Sequence, residues 1–302
     1  MGVLEGKAAI VTGSARGIGR ATAGLLAEHG ARVLVTDLDE RVANEAASAM
    51  PGETAVFAGD LTQDGISDAV VKKAIDAFGQ LDIVVNNAGY TWDGMAHKMS
   101  DEQFRAMLEI HTVAPFKLLR AAAPYLRDAG KADRDAGREV FRKVVNVTSI
   151  SGTQGNLGQA NYAAAKLGIF GLTKATALDM ARYNVTANCI SPFAWTRMIG
   201  TIPTETEQQK ARVEKIKQMS PAHIAPMAVF LASDAAKDVT GQVFGVRGKE
   251  LMLFGHERPI MRVHHADGWT PGRIADMFPG TLQHHLVPLV TSGQYFNYDP
   301  LV

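Results

Sequence analysis

Short runs of aliphatic residues alternate with longer stretches of helical periodicity over the first three quarters of the chain. The short runs predict seven strands, at Lys7–Val11, Arg32–Thr36, Thr54–Ala58, Asp82–Val85, Lys143–Thr148, Val185–Ile190 and Val243–Val246. The longer stretches predict helices at Ile18–His29, Glu40–Met50, Gly65–Phe78, Asp101–Arg127, Ala160–Tyr183 and Pro221–Ser233. This alternation is typical of an α/β fold of the Rossmann type, a doubly wound parallel sheet with helices on both faces. Ligands bind such sheets at the carboxyl ends of the strands.

Two polar segments interrupt the alternation. Asp128–Arg142 carries a run of charged residues, and we expect it to be a solvated surface extension of the long helix before the fifth strand. Thr201–Lys217 lies between the sixth strand and the next helix. Its polar composition and its position predict a substrate loop, which we assign to residues 193–217.

Residues 1–248 are expected to form one Rossmann domain, followed by a C-terminal extension at 249–302. Leu251–Phe254 predicts an extra strand, and Thr270 followed by Pro271 is typical of the N-cap and first position of a short helix. The extension carries too many large apolar side chains to remain in water, and it is small for an independent domain. We therefore expect it to dock on the main domain or on a neighbouring subunit.

Composition limits the kind of partner. The chain has 302 residues, of which 46% are hydrophobic, and its 31 Lys and Arg balance its 31 Asp and Glu. This balance favours neither a nucleic acid nor an anionic membrane, so a small-molecule substrate is expected. No apolar run is long enough for a membrane span and no secretory signal is evident, so we expect a cytoplasmic protein.

Cysteine and histidine are interpreted as structural residues. Cys189 is the only cysteine and lies in an apolar run, which excludes an intramolecular disulfide, predicts a buried thiol and fits a reducing compartment. The extension contains the adjacent pairs His264-His265 and His284-His285, whose members point in different directions. No acidic residue recurs beside them at ligand spacing, so no metal site is predicted.

A glycine-rich turn follows the first strand directly. Gly13, Gly17 and Gly19 occur within the stretch 12–19, and a helical stretch begins at once. Glycine permits the backbone conformations that such a turn needs, and it lets a pyrophosphate approach the N–H groups at the start of the helix. A glycine triplet alone would indicate only an ordinary turn, but a strand, this turn and a helix in succession predict a dinucleotide-binding loop.

Asp37 ends the second predicted strand, where a carboxylate can accept hydrogen bonds from adenosine ribose hydroxyls. A 2′-phosphate there would meet a like charge, at a cost of about 4 kcal/mol for ~4 Å and an effective dielectric constant of ~20. Asp37 therefore favours NAD over NADP as the cofactor. Two alternatives stay open at this stage: Asp37 as only a helix N-cap, and Arg16 as a loop cation that neutralises the phosphate.

Tyr162 and Lys166 are four residues apart in a helical stretch, so their side chains lie on one face about one turn apart. A phenol with a pKa of ~10 is a poor base at neutral pH, and a nearby ammonium lowers that pKa by ~1–3 units. Ser149 closes the fifth strand, where its hydroxyl can donate to a carbonyl oxygen that gains charge. Together the three residues predict a site for proton transfer.

These motifs resemble those of the short-chain dehydrogenase/reductase family. The resemblance extends from Lys7 to Val246 and includes Asn86-Asn87-Ala88-Gly89 after the fourth strand. It implies the strand order 3-2-1-4-5-6-7 and a tetramer or dimer packed through the helix that carries the tyrosine and the helix before the fifth strand. The residues expected to bind the cofactor are Gly13, Arg16, Gly17, Ile18, Gly19, Asp37, Leu38, Asp60, Leu61, Asn87, Ala88, Gly89, Tyr162, Lys166, Pro192 and Thr196.

A narrower resemblance is to the dehydrogenase module of peroxisomal multifunctional enzyme type 2, also called 17β-hydroxysteroid dehydrogenase type 4, and to its bacterial single-domain relatives. Four stretches carry it, which are Ile110-His111, Gly155 to Tyr162, Val243 to Gly248 and Trp269-Thr270-Pro271. It implies NAD-dependent interconversion of a secondary alcohol and a ketone, with a (3R)-hydroxyacyl-CoA or a hydroxysteroid-like alcohol as the substrate.

Two positions depart from the family pattern. His111 stands where most members have an asparagine as the fourth catalytic residue, whose backbone carbonyl helps to hold a water beside the lysine. We therefore include His111 as a catalytic candidate through its backbone. Phe193 follows Pro192 where the family usually has glycine, and its ring either narrows the pocket or packs outward.

Two alternative functions are consistent with the same motifs. One is an NADPH-dependent 3-oxoacyl reductase, against which Asp37 argues. The other is a non-catalytic relative that binds NAD, against which the intact set of Ser149, Tyr162 and Lys166 argues.

Overall fold

A computed structural model describes residues 2–196 and 206–302. Within these ranges one sheet has the strand order β3-β2-β1-β4-β5-β6-β7-β8. The strands are β1 Ala8–Val11, β2 Arg32–Asp37, β3 Thr54–Ala58, β4 Ile83–Asn86, β5 Arg142–Val147, β6 Val185–Phe193, β7 Val243–Arg247 and β8 Glu250–Leu253. The pairs from β3 through β7 are all parallel, and β8 pairs antiparallel with β7. The predicted order of the seven strands is confirmed, and the extra strand predicted at Leu251–Phe254 in the C-terminal extension is present as β8.

Helices cover both faces of the sheet. They are α1 Gly17–Glu28, α2 Glu40–Ser48, α3 Ile66–Phe78, α4 Asp101–Leu108, α5 Ala114–Asp135, α6 Ile150–Gln154, α7 Ala160–Met180, α8 Glu207–Lys217, α9 Ala225–Ala232, α10 Pro271–Met277 and α11 Ser292–Tyr295. Strand β1 separates two hydrophobic layers, since Ala9 and Val11 face one and Ala8 and Ile10 face the other. This alternation follows from the two-residue period of a strand. Because both faces of the sheet are covered by helices, the carboxyl ends of the strands remain as the place for a site.

The helix predicted over Asp101–Arg127 is interrupted by a π-helical turn at Glu109–Val113. A π-turn holds one extra residue, so it rotates the helix that follows and is common at functional sites. Here it buries the side chain of His111. The periodicity of apolar residues did not indicate this interruption.

The charged segment before β5 was expected to be solvated, and this is wrong for two of its residues. Asp133 and Arg142 are 6% and 7% exposed, and Arg142 Nη2 lies 2.8 Å from Asp133 Oδ2. Asp133 also pairs with the more exposed Arg138 at 2.7 Å. A buried ion pair therefore connects the end of α5 to the first residue of β5.

The C-terminal extension returns to the main domain at its end. Ser292 N–H donates to Oδ1 of Asn156 at 3.1 Å, and Arg247 donates to the carbonyl of Tyr298. Thr270 caps α10 as expected, and its Oγ1 accepts from the N–H of Arg273 at 3.3 Å. Residues 197–205 of the predicted substrate loop lie outside the described residues, and α8 forms its last part. No helix in the described part of the chain is long and apolar enough to cross a membrane.

Candidate active site

A cavity of about 1610 Å³ opens at the carboxyl ends of the parallel strands. Every residue that the sequence singled out for catalysis or cofactor binding lines it. They are Gly13, Arg16, Gly17, Ile18, Gly19, Asp37, Leu38, Asp60, Leu61, Asn87, Ala88, Gly89, His111, Ser149, Tyr162, Lys166, Pro192 and Thr196. The order of the strands in the sheet brings these residues together, because they come from the carboxyl ends of six different strands and from the loops and helices that follow them.

The glycine turn leaves the start of α1 open. Gly13 and Gly17 have φ of +61° and +55°, which a Cβ opposes, and a Cβ on Gly19 would lie 2.1 Å from the carbonyl oxygen of Gly13. Arg16 is the N-cap of α1 and its side chain makes no capping hydrogen bond. The first N–H groups of this helix of 12 residues therefore face the cavity free to bind an anion.

Thr12 connects the glycine turn to the loop after β4. Its Oγ1 accepts from the N–H groups of Asn87 and Ala88 at 2.9 and 3.0 Å. In return, Asn87 Nδ2 donates to the carbonyls of Thr12 and Gly13 at 2.9 and 3.1 Å. Thr12 was not among the residues predicted for the site, although a hydroxyl residue directly before the glycine turn is a usable signal.

The end of β2 holds Asp37 in a defined orientation. Its Oδ1 accepts from the N–H of Leu38 at 2.9 Å. The N-cap of α2 is Asp39, whose Oδ1 accepts from the N–H of Val42 at 3.2 Å, so the alternative that Asp37 serves only as an N-cap is wrong. Arg16 lies 3.6 Å from the carboxylate of Asp39, so a counter-ion already faces this arginine.

The three proton-transfer candidates converge at the middle of the cavity. Ser149 is the N-cap of α6, where its Oγ accepts from the N–H of Ser151 at 3.2 Å. Burial raises the pKa of Tyr162 to about 12, and its hydrogen bond with Ser149 opposes this rise. Burial lowers the pKa of Lys166 to about 7, and the lysine Nζ donates to the carbonyl of Val147 at 2.7 Å. The same Nζ lies 5.7 Å from the centre of the Tyr162 ring.

His111 projects its ring into the same region. Its Nε2 lies 2.6 Å from the carbonyl oxygen of Tyr90, a contact that requires a proton on Nε2. Burial, and then the charge of Lys166, lowers the pKa of His111 well below its ordinary value. The ring is therefore neutral, and its buried Nδ1 has no hydrogen-bond partner among the described residues. His111 was predicted to act through its backbone alone, whereas the His111 side chain also binds the loop after β4.

The far wall of the cavity contains residues from the extension. The ring of Phe193 meets that of Phe296 edge to face, with 4.8 Å between their centres. Both rings line the cavity, so Phe193 narrows it rather than packing outward. Arg247 holds this wall by donating to the carbonyl of Tyr298 and by lying 5.6 Å above the Phe296 ring. No motif in the sequence indicated Phe296 or Tyr298.

A doubly wound sheet with an open glycine turn, a carboxylate after β2 and a Tyr-Lys pair after β5 defines a nicotinamide-dependent oxidoreductase of the short-chain type. The chain belongs to the short-chain dehydrogenase/reductase family, since a family model described as enoyl-(acyl carrier protein) reductase matches residues 13–248. It is an oxidoreductase that acts on CH–OH groups and binds a nicotinamide cofactor.

Proteins of known activity resemble the chain over most of its length. It is 42% identical over 291 residues to hydroxyacyl-CoA dehydrogenase ChsB1 of Mycobacterium tuberculosis, covering 92% of this chain and 90% of that protein. It is 40% identical to the peroxisomal hydratase-dehydrogenase-epimerase of Neurospora crassa, over 80% of this chain but 25% of that longer protein. It is 39% identical to the 3-oxoacyl-[acyl-carrier-protein] reductase FabG of Vibrio cholerae, over 83% of this chain and 99% of that protein.

A solved structure resembles the whole fold. The crystal structure of a short chain dehydrogenase from Mycobacterium avium superposes with a TM-score of 0.81 at 33% identity. The match covers 96% of this chain and 98% of that chain, so it includes the C-terminal extension as well as the Rossmann domain.

Proposed function

We propose that the protein interconverts a secondary alcohol and a ketone with NAD as cofactor, and that its substrate is a (3R)-hydroxyacyl-CoA or a similar hydroxylated lipid. One observation carries this proposal: Ser149, Tyr162 and Lys166 converge in a cavity whose other end carries the glycine turn and Asp37.

The residues present fit a nicotinamide dinucleotide. The open start of α1 suits a pyrophosphate, and the fixed carboxylate of Asp37 suits a ribose diol. Asp60 lies next to the adenine position in this family, and hydrogen bonds from the backbone N–H and hydroxyl of Thr62 lower its pKa. Asn87, Ala88, Gly89, Pro192 and Thr196 would border the ring end of the cofactor.

The preference for NAD over NADP rests on charge at the end of β2. Asp37 presents a negative charge where the 2′-phosphate of NADP would lie, and hydrogen bonding keeps it there. Arg16 lines the cavity at this end, but its guanidinium lies 3.6 Å from the carboxylate of Asp39, which partly balances its charge. An NADPH-dependent 3-oxoacyl reductase is therefore the second candidate rather than the first.

The chain's own residues handle the proton. A nicotinamide held by these residues would supply or take up the hydride. Ser149 donates a hydrogen bond to the substrate oxygen as that oxygen gains or loses charge. Tyr162 takes the hydroxyl proton during oxidation and returns it during reduction. The pKa of the Tyr162 phenol is raised to about 12, mainly by burial and against the Ser149 hydrogen bond, so a positive charge beside the ring is needed to bring this pKa into a working range. Lys166 supplies that charge in its protonated form, with its Nζ 5.7 Å from the ring centre.

The substrate class follows from relatives and from the cavity. Two of the relatives are named as a hydroxyacyl-CoA dehydrogenase and a hydratase-dehydrogenase-epimerase. The wall formed by Phe193 and Phe296 suits an aliphatic or ring-shaped substituent on the reacting carbon. We also expect a cytoplasmic homo-oligomer, since Phe116 on α5 and Leu167 and Leu178 on α7 are exposed apolar side chains of the two helices through which this family assembles.

Titration of the full chain with NADH and NADPH, combined with turnover of 3-hydroxyacyl-CoAs, hydroxysteroids and simple secondary alcohols, tests the proposal. We expect NADH to bind at least about tenfold more tightly, and Asp37→Ser to remove most of that difference. Asp76→Ser, an exposed change on α3, is the control. Tighter binding of NADPH by the wild type would support the 3-oxoacyl reductase instead.

Turnover by the Tyr162→Phe variant tests catalysis. We expect this variant to lose turnover while its NAD affinity stays within a few-fold, because only the transferable proton is removed. Lys166→Ala is expected to lose both turnover and cofactor affinity. If Tyr162→Phe turned over as fast as the wild type, Tyr162 would not be the proton-transfer residue. If the wild type bound NAD tightly but showed no turnover, the protein would be the non-catalytic relative.

A further inference from the structure

A chain of polar side chains forms one wall of the cavity beside Tyr162. Gln159 Nε2 donates to Asp93 Oδ2 at 3.1 Å, and its Oε1 accepts from Ser151 Oγ at 3.0 Å and from Asn156 Nδ2 at 3.2 Å. Asn156 Oδ1 accepts from the N–H and hydroxyl of Ser292 at 3.1 and 2.9 Å. This network fixes the direction in which the Asp93 carboxylate points.

The backbone reinforces this arrangement. Gly94 N–H donates to the carbonyl of Gly158 at 2.8 Å, and Gly94 forms a parallel bridge with Gln159. The loop that carries Asp93 is thereby tied to the start of α7, one turn before Tyr162. The distance from Asp93 to the reacting hydroxyl is set by the fold and not by a free loop.

Asp93 differs from the other charged residues on this side of the cavity. The other two that the structure describes there are Arg247, which lies 2.8 Å from Glu250, and Asp299, which pairs with Lys215. No described lysine or arginine lies within ion-pair distance of Asp93. The remaining charged residues of the cavity belong to the cofactor end or, for Lys166, to the centre.

The Asp93 charge is therefore not balanced by a neighbouring cation among the described residues. Its effect extends to the reaction centre: burial is the main cause of the raised pKa of Tyr162, and the Asp93 charge raises that pKa further. A carboxylate placed on the substrate's polar arm would add a second negative charge next to it. A thioester or an ester at the same position is neutral and meets no such repulsion.

We propose that Asp93 favours substrates whose polar arm is uncharged, so that a hydroxyacyl thioester is preferred over the corresponding free hydroxy acid. This inference rests on the proposed function, because it concerns the substituent beside the reacting alcohol. Asp93 is largely exposed, so solvent screens its charge and the effect is modest. We expect a discrimination of about three- to tenfold from this one charge.

The test compares (3R)-3-hydroxybutyrate, its methyl ester and its CoA thioester as substrates of the wild type and of Asp93→Asn. An asparagine can still accept from Gln159, so the network persists while the charge is removed. We expect the ratio of kcat/KM for the acid to that for the methyl ester to rise about three- to tenfold in Asp93→Asn and to become less sensitive to salt. Asp101→Asn, an exposed change of the same charge at the start of α4, should leave the ratio unchanged.

The outcomes separate this inference from the proposed function. An unchanged ratio in Asp93→Asn, or an equal fall for both neutral and charged substrates, would show that Asp93 only supports the network. Failure of the wild type to use the CoA thioester, while it oxidises the methyl ester, would overturn the acyl-CoA assignment but leave the ratio decisive. If turnover of both small probes is too slow, calorimetric titration of the cofactor complex with acetoacetate and methyl acetoacetate gives the corresponding ratio of dissociation constants, which Asp93→Asn should shift in the same direction.

Discussion

The imidazole of His111 stands edge-on against the phenol of Tyr162, with 5.1 Å between the ring centres. The same imidazole is held by the carbonyl of Tyr90 in the loop after β4. One side chain thus links the loop that would border the cofactor to the residue proposed to transfer the proton. The π-turn at Glu109–Val113 is what brings this side chain inward.

Gly89→Ala tests this link. A Cβ on Gly89 would lie 2.0 Å from Cε1 and 2.6 Å from Nδ1 of His111, so the ring must move and the loop with it. We expect Gly89→Ala to lose about 1–3 kcal/mol of unfolding free energy and to weaken NAD binding. In a double-mutant cycle His111→Ser should restore stability to Gly89→Ala, because the space is returned. Additive losses in the cycle would contradict the proposed contact.

Lys143 provides a prediction on pH and stability. It is 1% exposed, its Nζ has no hydrogen-bond partner among the described residues, and burial lowers its pKa to about 8. The unfolded chain, with a pKa near ~10.4, binds this proton more tightly, so this group makes unfolding easier as the pH falls from about 10.5 towards 8. Lys143→Met should therefore raise the unfolding free energy by about 1–2 kcal/mol at pH 7, after discounting for screening.

Chemical denaturation at pH 7 and pH 10.5 measures this change. The gain should shrink at the higher pH, where the folded-state lysine is neutral and about half of the unfolded chains have lost the same proton. Lys72→Met is the control, since this lysine is 72% exposed and pairs only with Asp76 on its own helix. A destabilised Lys143→Met variant at both pH values would contradict the expectation.

The buried pair of Asp133 and Arg142 predicts a large and local stability effect. Asp133→Ala leaves Arg142 buried without its 2.8 Å partner, for which we expect a loss of about 3–5 kcal/mol. Arg138→Ala removes the partner whose side chain is 60% exposed, and it should cost less than about 1 kcal/mol. Thermal unfolding of the two variants gives the comparison, and similar losses in both would contradict the burial argument.

Phe296 tests whether the extension helps to form the substrate site. Its ring is 6% exposed and meets Phe193 across the cavity wall. We expect Phe296→Ala to raise KM for the alcohol several-fold while leaving NAD affinity unchanged, because Phe296 is not among the residues expected to bind the cofactor. Leu289→Ala, at a position that is 94% exposed, is the control. An unchanged KM in Phe296→Ala would mean that the extension is not part of the substrate site.

The sheet and most of the residues that line the cavity could be predicted from the sequence. Strand periodicity, the glycine turn and the Tyr-Lys spacing depend on neighbours within a few residues, so they can be read without a fold. Because the carboxyl ends of parallel strands meet at one edge, motifs after different strands were expected to converge, and they line one cavity.

The contacts between separate segments could be seen only in the folded molecule. Two of these contacts join separate elements, namely the pairing of Asp133 with Arg142 and the contact between Phe193 and Phe296. The π-turn around His111 and the position of the unpaired Asp93 carboxylate are also set by the packed molecule. Burial and charge compensation are properties of the packed molecule, and the local pattern of apolar and polar residues does not contain them. The local pattern predicted the strand at Leu251–Phe254, but only the packed molecule shows that this strand pairs antiparallel with β7.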